Sequence, residues 1–180
     1  MPRKVYWDSC AFIGLLNREP DKINACSDVW VEAQNGYTTI YTSYLAFTEV
    51  YKVKCSVPGT ALTIEEDKRI EQVLQQRWIR PVIVDERIAI GARRLLRRFS
   101  PEFKKPVDGI HLATAAILNV DEMHTFDGSD LLKLDGKVQK EDGTMLKICL
   151  PSTSGPPPVP PMSEQDLIEF EKELTSKGRR

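Results

Sequence analysis

The chain has 180 residues, enough for one domain with a sizeable core and an additional segment. Its formal net charge of −1 excludes a generally basic nucleic-acid-binding protein, so contacts with phosphates would need a local basic patch. No apolar run approaches the ~18 residues of a membrane span, and the N-terminus lacks the pattern of a signal peptide. We therefore expect a cytoplasmic protein with no membrane partner. The four cysteines form no C-x-x-C pair, which argues against a zinc or dithiol site.

In the first half of the chain, short runs of β-branched and aromatic residues alternate with helical patterns. Ser9 is a plausible cap for the first helix, and Thr63-x-x-Glu66 has the pattern of a capping box. Glu49 falls near the middle of the third predicted helix. The predicted strands are residues 5–7 and 37–43, and the predicted helices are residues 9–17, 23–33, 43–55 and 63–77.

The second half continues the same alternation. Pro81 lies in the third predicted strand and indicates an edge position, because proline cannot donate to a neighbouring strand. The helix predicted over residues 107–119 is rich in alanine and apolar nearly all round, which is typical of a buried helix. The predicted strands are residues 78–85, 122–127 and 145–151, and the other predicted helix is residues 85–99. Strands that alternate with helices favour an α/β fold with a mainly parallel sheet.

The composition changes after residue 150. Residues 1–150 are predicted to form the globular domain, residues 151–162 a Pro-rich linker, and residues 163–180 a C-terminal helix and tail. The terminal helix has a narrow apolar stripe that would suit its own domain, a second copy or another partner.

Acidic residues fall where the predicted strands end and helices begin. Asp8 follows the first strand, Asp127 ends the fourth and Asp108 opens the Ala-rich helix, while Glu49 lies in the helix after the second strand. If the first and fourth strands are neighbours, these side chains converge at the carboxyl edge of the sheet. Clustered carboxylates repel each other unless a hard cation such as Mg²⁺ joins them, and that ion assists phosphodiester hydrolysis.

Each acid also has a simpler interpretation. Asp8 and Asp108 are candidate helix caps, Glu49 a solvated helix residue, and Asp127, which precedes a glycine, a turn residue. Two histidines are too few for a histidine-based metal site, and His111 is interpreted as a hydrogen-bonded core or near-site residue. A haloacid-dehalogenase-type phosphatase needs a second aspartate two residues after the first. Cys10 occupies that position here, which excludes this class.

The strongest basic cluster comprises Arg93, Arg94, Arg97, Arg98, Lys104 and Lys105. The arginine pairs recur four residues apart, so they share one broad helix face. This face is either simply solvated or forms a rim that contacts phosphates beside the acids.

Four segments, in order, resemble the motifs of PIN domains: VYWDSCAFIGLL, TEVYKV, PVDGIHLATAAIL and TFDGSDLLKL. The resemblance covers residues 4–135. It implies a three-layer α/β/α sandwich with a mainly parallel five-stranded sheet. It also implies a ribonuclease dependent on Mg²⁺ or Mn²⁺, similar to VapC toxins that a cognate antitoxin holds inactive, and commonly a homodimer.

By this resemblance Asp8, Glu49, Asp108 and Asp127 would be the catalytic and metal-binding acids, and Asp130 an auxiliary metal ligand. The residues expected to contact substrate are Ser9, Arg93, Arg97 and Lys104. The long polar helix predicted at 63–77 and the Pro-rich tail are departures from the pattern of small toxins of this family. The function predicted from the resemblance is that of an endoribonuclease and toxin. The alternative is a non-catalytic PIN-fold module that binds RNA or protein and recruits a partner through its tail.

Overall fold

A computed structural model describes residues 1–51, 53, 59–100 and 105–154. It contains a five-stranded sheet of parallel neighbours in the order β3-β2-β1-β4-β5, which confirms the predicted fold class. The strands are β1 (Arg3–Trp7), β2 (Thr38–Ser43), β3 (Ile79–Val82), β4 (Glu122–His124) and β5 (Lys147–Cys149). The edge position predicted from Pro81 is confirmed, because β3 pairs with β2 and has no second strand neighbour among the described residues.

Helices cover both faces of this sheet and complete the three predicted layers. The strand β1 directs Val5 and Trp7 towards one core and Tyr6 towards the other, because successive side chains point to opposite faces. The helices are α1 (Ser9–Leu16), α2 (Ile23–Gln34), α3 (Ala46–Glu49), α4 (Ile64–Leu74), α5 (Glu86–Arg98) and α6 (Pro106–Ile117). Residues of α1, α2 and α4 pack on the Val5 and Trp7 side, and residues of α6 on the Tyr6 side.

Two helix starts can be compared with their predicted caps. The capping box of α4 is confirmed, with Thr63 Oγ1 accepting from Glu66 N at 3.2 Å and Glu66 Oε2 accepting from Thr63 N at 2.7 Å. The prediction that Ser9 caps α1 is wrong. Asp8 is the cap, and its Oδ1 accepts from Ala11 N at 3.2 Å.

Several predicted elements are shorter in the structure, and two of them lie next to predicted acids. The helix predicted over residues 43–55 is a single turn that ends at Glu49, because Val50 has a ψ of 66° and leaves the helical region. The fourth strand ends at His124 and not at Asp127. A 3₁₀ turn at Leu131–Leu134, which the sequence did not predict, follows and buries Leu131 and Leu134.

The segment after β5 stays in contact with the sheet as far as the described residues extend. Ser152 O accepts from the Arg3 guanidinium at 2.6 Å, and Ser154 N donates to Glu32 Oε1 at 3.0 Å. The predicted boundary at residue 150 remains a prediction. The predicted C-terminal helix and most of the predicted linker, residues 155–180, lie outside the described residues. Within the described ranges, no helix is both long enough and apolar enough to cross a membrane.

Candidate metal centre

The sheet order places the predicted acids at one edge. Because β1 and β4 are parallel neighbours, their carboxyl ends lie side by side. Asp8 immediately follows β1, and Asp127 follows the end of β4 by three residues. Asp108 lies in the first turn of α6, whose cap position is Lys105, so the interpretation of Asp108 as a helix cap is wrong.

Three carboxylates come close enough to share a cation. Asp108, Asp127 and Asp130, here called the acid triplet, each offer an oxygen within 4.8 Å of the others. Asp108 is 9% exposed, and its buried Oδ2 has no hydrogen-bond partner in the described part of the chain. A buried carboxylate oxygen without a partner is costly, and a bound cation removes that cost. The donor set therefore fits a hard divalent ion.

The pKa values of two triplet members move in opposite directions. Burial raises the pKa of Asp108 to about 6, and the nearby charges of Asp127 and Asp130 add to this effect against Lys105. Burial alone would also raise the pKa of Asp127, but hydrogen bonds from Ser129 and Asp130 hold it below its usual value. The lowered pKa favours the ionised form of Asp127, whereas the raised pKa of Asp108 favours its protonated form.

Asp127 is fixed by its own loop. Its Oδ1 accepts from Ser129 N at 2.9 Å, from Ser129 Oγ at 2.5 Å and from Asp130 N at 3.0 Å. This is the turn geometry proposed for Asp127 from sequence, and it leaves Oδ2 directed to Lys105 Nζ at 4.0 Å. One residue therefore shapes the turn and contributes to the triplet.

Asp8 is buried beside the triplet without belonging to it. It is 3% exposed, and its Oδ2 accepts from Thr125 Oγ1 at 2.5 Å while Oδ1 caps α1. Burial raises the pKa of Asp8, and His111 and Thr125 oppose that rise. Each carboxylate oxygen has two lone pairs, so capping does not exclude a second role for Asp8. Ser9, expected to contact substrate, is 8% exposed.

Glu49 reaches the same region from α3 through a histidine. His111 Nε2 lies 2.6 Å from Glu49 Oε2, and His111 Nδ1 lies 2.7 Å from the Tyr6 hydroxyl. His111 is 1% exposed, so the expectation of a hydrogen-bonded core histidine near the site is confirmed. Glu49 is not part of the triplet, but its charge raises the pKa of Asp8.

The helix with the basic cluster packs antiparallel to α6. A Cβ added at Gly109 would lie 2.9 Å from Leu96 Cγ, and one added at Gly91 would lie 3.4 Å from Ala113 Cβ. The late residues of α5 therefore contact the early residues of α6. Glycine at these two positions permits close helix packing, and the C-terminal end of α5 lies beside the end of α6 that carries the triplet aspartate.

Two of the residues predicted to contact phosphates lie on α5. Arg93 and Arg97 are exposed, with Arg97 in the last turn of the helix. Lys105 is 65% exposed, and its Nζ lies 4.0 Å from Asp127 Oδ2 of the triplet. Lys104 lies outside the described residues. The sequence pattern indicated no separate role for Lys105. Thr125 belongs to the fourth motif, and its position two residues before Asp127 was the available signal that it lies near the acids.

A second group of possible ligands comprises Glu122 and His124 on β4 and Cys149 on β5. Trp7 Nε1–H donates to His124 Nδ1 at 3.2 Å, so the ring proton stays on Nε2 and is donated to Glu122 Oε2 at 3.0 Å. A metal-binding histidine instead donates through the nitrogen that does not bind the ion. This group is therefore a hydrogen-bond network and not a metal centre.

The chain was compared with known proteins. No curated protein matches it significantly. Its fold is similar to that of the Mycobacterium tuberculosis VapC20 crystal structure, described as a sarcin–ricin loop cleaving toxin, with 15% identity, a TM-score of 0.55, and coverage of 69% of this chain and 90% of that one.

It is also similar to VapBC2 from Rickettsia felis, described as bound to a DNA fragment from its promoter, with 12% identity, a TM-score of 0.56, and coverage of 81% of this chain and 96% of that one. At these identities the two structures establish the shared fold alone. The PIN domain family model matches residues 5–137, which include the whole acid triplet, most of β1 and all of β2, β3 and β4. The chain therefore belongs to the PIN domain family.

Proposed function

We propose that the protein is a divalent-metal-dependent endoribonuclease. The observation that carries this proposal is the acid triplet, in which the buried Oδ2 of Asp108 has no hydrogen-bond partner among the described residues. Three carboxylates at the carboxyl edge of a parallel sheet, next to exposed cations, are suited to hold a metal ion and a phosphodiester together.

The triplet would hold Mg²⁺ or Mn²⁺, with Asp8 and Glu49 completing the acidic wall. A bound ion of this kind activates a water molecule and stabilises charge on a phosphoryl oxygen. Asp127 supplies a fixed carboxylate, because its loop hydrogen bonds keep it ionised and oriented. Lys105 and Arg97 would attract and orient the RNA backbone.

We further propose that this nuclease acts as the toxin of a toxin–antitoxin pair in the cytoplasm. The two similar structures are described as a toxin that cleaves the sarcin–ricin loop and as a VapBC complex on promoter DNA. They support structured RNA as substrate and a small DNA-binding antitoxin as partner. A homodimer is proposed on the same family resemblance.

Metal-dependent cleavage is the direct test of the activity. The full-length protein is incubated with a panel of structured RNAs and Mn²⁺, and the products are resolved on denaturing gels. We expect discrete internal cuts that EDTA abolishes and that Mn²⁺ in excess of the chelator restores. RNA binding without cleavage under these conditions would contradict the nuclease proposal and favour the non-catalytic PIN-fold module.

Replacing Arg97 with glutamine is expected to weaken RNA binding by about threefold to tenfold without sequence preference. Loss of one phosphate contact also lowers the slope of log affinity against log salt by about 1. The measurement is RNA affinity at several salt concentrations in an Asp108→Asn background that does not cleave.

The matched control is Arg87→Gln in the first turn of the same helix, about 15 Å along the axis from Arg97. Arg87 pairs with Glu141, away from the triplet. Equal salt slopes for the two variants would show that the basic face of α5 is simply solvated.

A further inference from the structure

We propose that His111 is a positioning residue, which holds the Glu49 carboxylate at the metal centre and is itself oriented by Tyr6. This inference rests on the proposed function, since it assigns the support of one acid of that site.

Glu49 has little support from its own backbone. It is the last residue of the one-turn helix α3, and Val50 leaves the helical conformation immediately afterwards. Its side chain is 24% exposed and has several rotatable bonds. The contact that directs it inward is the 2.6 Å hydrogen bond with His111 Nε2.

The direction of these hydrogen bonds follows from the chemistry of the partners. An ionised carboxylate only accepts, so His111 Nε2 carries the proton donated to Glu49. In the neutral ring, Nδ1 then accepts the Tyr6 hydroxyl at 2.7 Å.

The Tyr6–His111–Glu49 chain joins the elements that carry the other acids. Tyr6 lies on β1, two residues before Asp8, and His111 lies on α6, three residues after Asp108. Tyr6 and His111 are almost completely buried, so the surrounding core fixes the orientation of both side chains. The two hydrogen bonds therefore fix the Glu49 carboxylate relative to β1, which precedes Asp8, and to α6, which carries Asp108.

Without the hydrogen bond from His111, the Glu49 side chain is expected to turn towards solvent. Glu49 and the buried Asp8 carry like charges and interact electrostatically, so the two carboxylates repel each other. The exposed side of Glu49 offers a solvated alternative. The hydrogen bond from His111 offsets the repulsion and keeps the carboxylate beside the metal centre before any cation arrives.

The chain contains a matched control for this role. His124 is also fully buried, and its Nε2 also donates to a glutamate, Glu122, at 3.0 Å. Its other nitrogen is likewise hydrogen-bonded, to Trp7. His124 differs in its carboxylate partner, because Glu122 at the start of β4 is not one of the acids proposed for the metal centre. Its replacement is therefore expected to cost stability without removing a hydrogen-bond support of those acids.

The test is Mn²⁺ affinity, measured by calorimetry on the RNA-free full-length protein. His111→Leu is expected to weaken Mn²⁺ binding by about tenfold or more, the order found when a supporting partner of a metal ligand is lost. His111→Gln keeps an N–H near the position of Nε2 and should restore most of the affinity. Tyr6→Phe, which keeps the packing and loses only the hydroxyl, should give an intermediate loss.

His124→Leu should lower the melting temperature while leaving Mn²⁺ affinity within about twofold of the parent, a change too small to reflect a lost ligand support. An equal loss of affinity in His111→Leu and His124→Leu, or no loss in His111→Leu, would overturn the positioning role. Failure of the wild-type protein to cleave RNA, with Mn²⁺ binding retained, would contradict the proposed function alone. Failure to bind Mn²⁺ at all would contradict both.

Discussion

Replacing Asp108 with asparagine is expected to reduce metal-dependent RNA cleavage by at least about 10³-fold, the order that loss of a preorganised electrostatic group costs. In metal-free buffer at neutral pH the same change is expected to raise the melting temperature. Asparagine removes a buried charge whose Oδ2 has no hydrogen-bond partner among the described residues and relieves its repulsion with Asp127 and Asp130. Activity and stability should thus change in opposite directions.

The difference in stability between Asp108→Asn and the wild type should depend on pH. The pKa of Asp108 is about 6 in the folded protein, above the usual value of 3.8, so the folded state binds its proton more tightly than the unfolded chain. The protonated form therefore favours folding below about pH 4, and this contribution is lost as the pH rises through about 6. Asp108→Asn has no carboxyl group at this position and does not lose this stability. Its melting temperature relative to that of the wild type should therefore rise between pH 4 and pH 7. Mn²⁺ should reverse the order by stabilising the wild type alone.

Asp85→Asn is the matched control. Asp85 caps α5 by accepting from Ile88 N at 2.9 Å, and asparagine caps a helix as well as aspartate does. This control should change neither cleavage nor stability appreciably. A lower melting temperature for Asp108→Asn at neutral pH would show that the favourable charge at the start of α6 outweighs the repulsion.

Replacing Arg3 with methionine is expected to destabilise the protein by about 3–5 kcal/mol, the cost of leaving a buried ion pair with one partner. The Arg3 guanidinium contacts Glu32 at 2.9 Å and Glu122 at 3.2 Å, and Glu32 is only 4% exposed. It also donates to Ser152 O, so the variant loses a contact between the sheet and the segment after β5. Chemical denaturation monitored by tryptophan fluorescence measures the loss.

Lys147→Met is the control for this second prediction. Lys147 contacts the same Glu122 at 2.8 Å, but it is 59% exposed, so its loss should cost less than about 1 kcal/mol. Because Arg3 lies at the start of β1, far along the strand from the acids at its carboxyl end, the folded fraction of Arg3→Met should keep its metal affinity. Equal destabilisation by the two variants would contradict the role of burial.

Local sequence was most informative where a signal needs only neighbouring residues. The capping box at Thr63, the edge position of Pro81 and the alternation of strands with helices were all predicted correctly, because each depends on short-range geometry. The helix predicted through Glu49 was too long for the complementary reason. Apolar periodicity cannot show where the chain leaves the helix, and the backbone does so at Val50.

The sequence by itself determined the fold class and the family and indicated which acids to propose for the site, since strand-end carboxylates and the four ordered motifs are properties of the chain. Only the tertiary structure decided how those acids are grouped. Asp108, Asp127 and Asp130 form the triplet. Asp8 instead caps α1 and accepts a hydrogen bond from Thr125, and Glu49 is hydrogen-bonded to His111. These groupings depend on strand order, helix packing and burial, which bring together residues more than 100 positions apart, as with Asp8 and Thr125, and no local pattern encodes their distances.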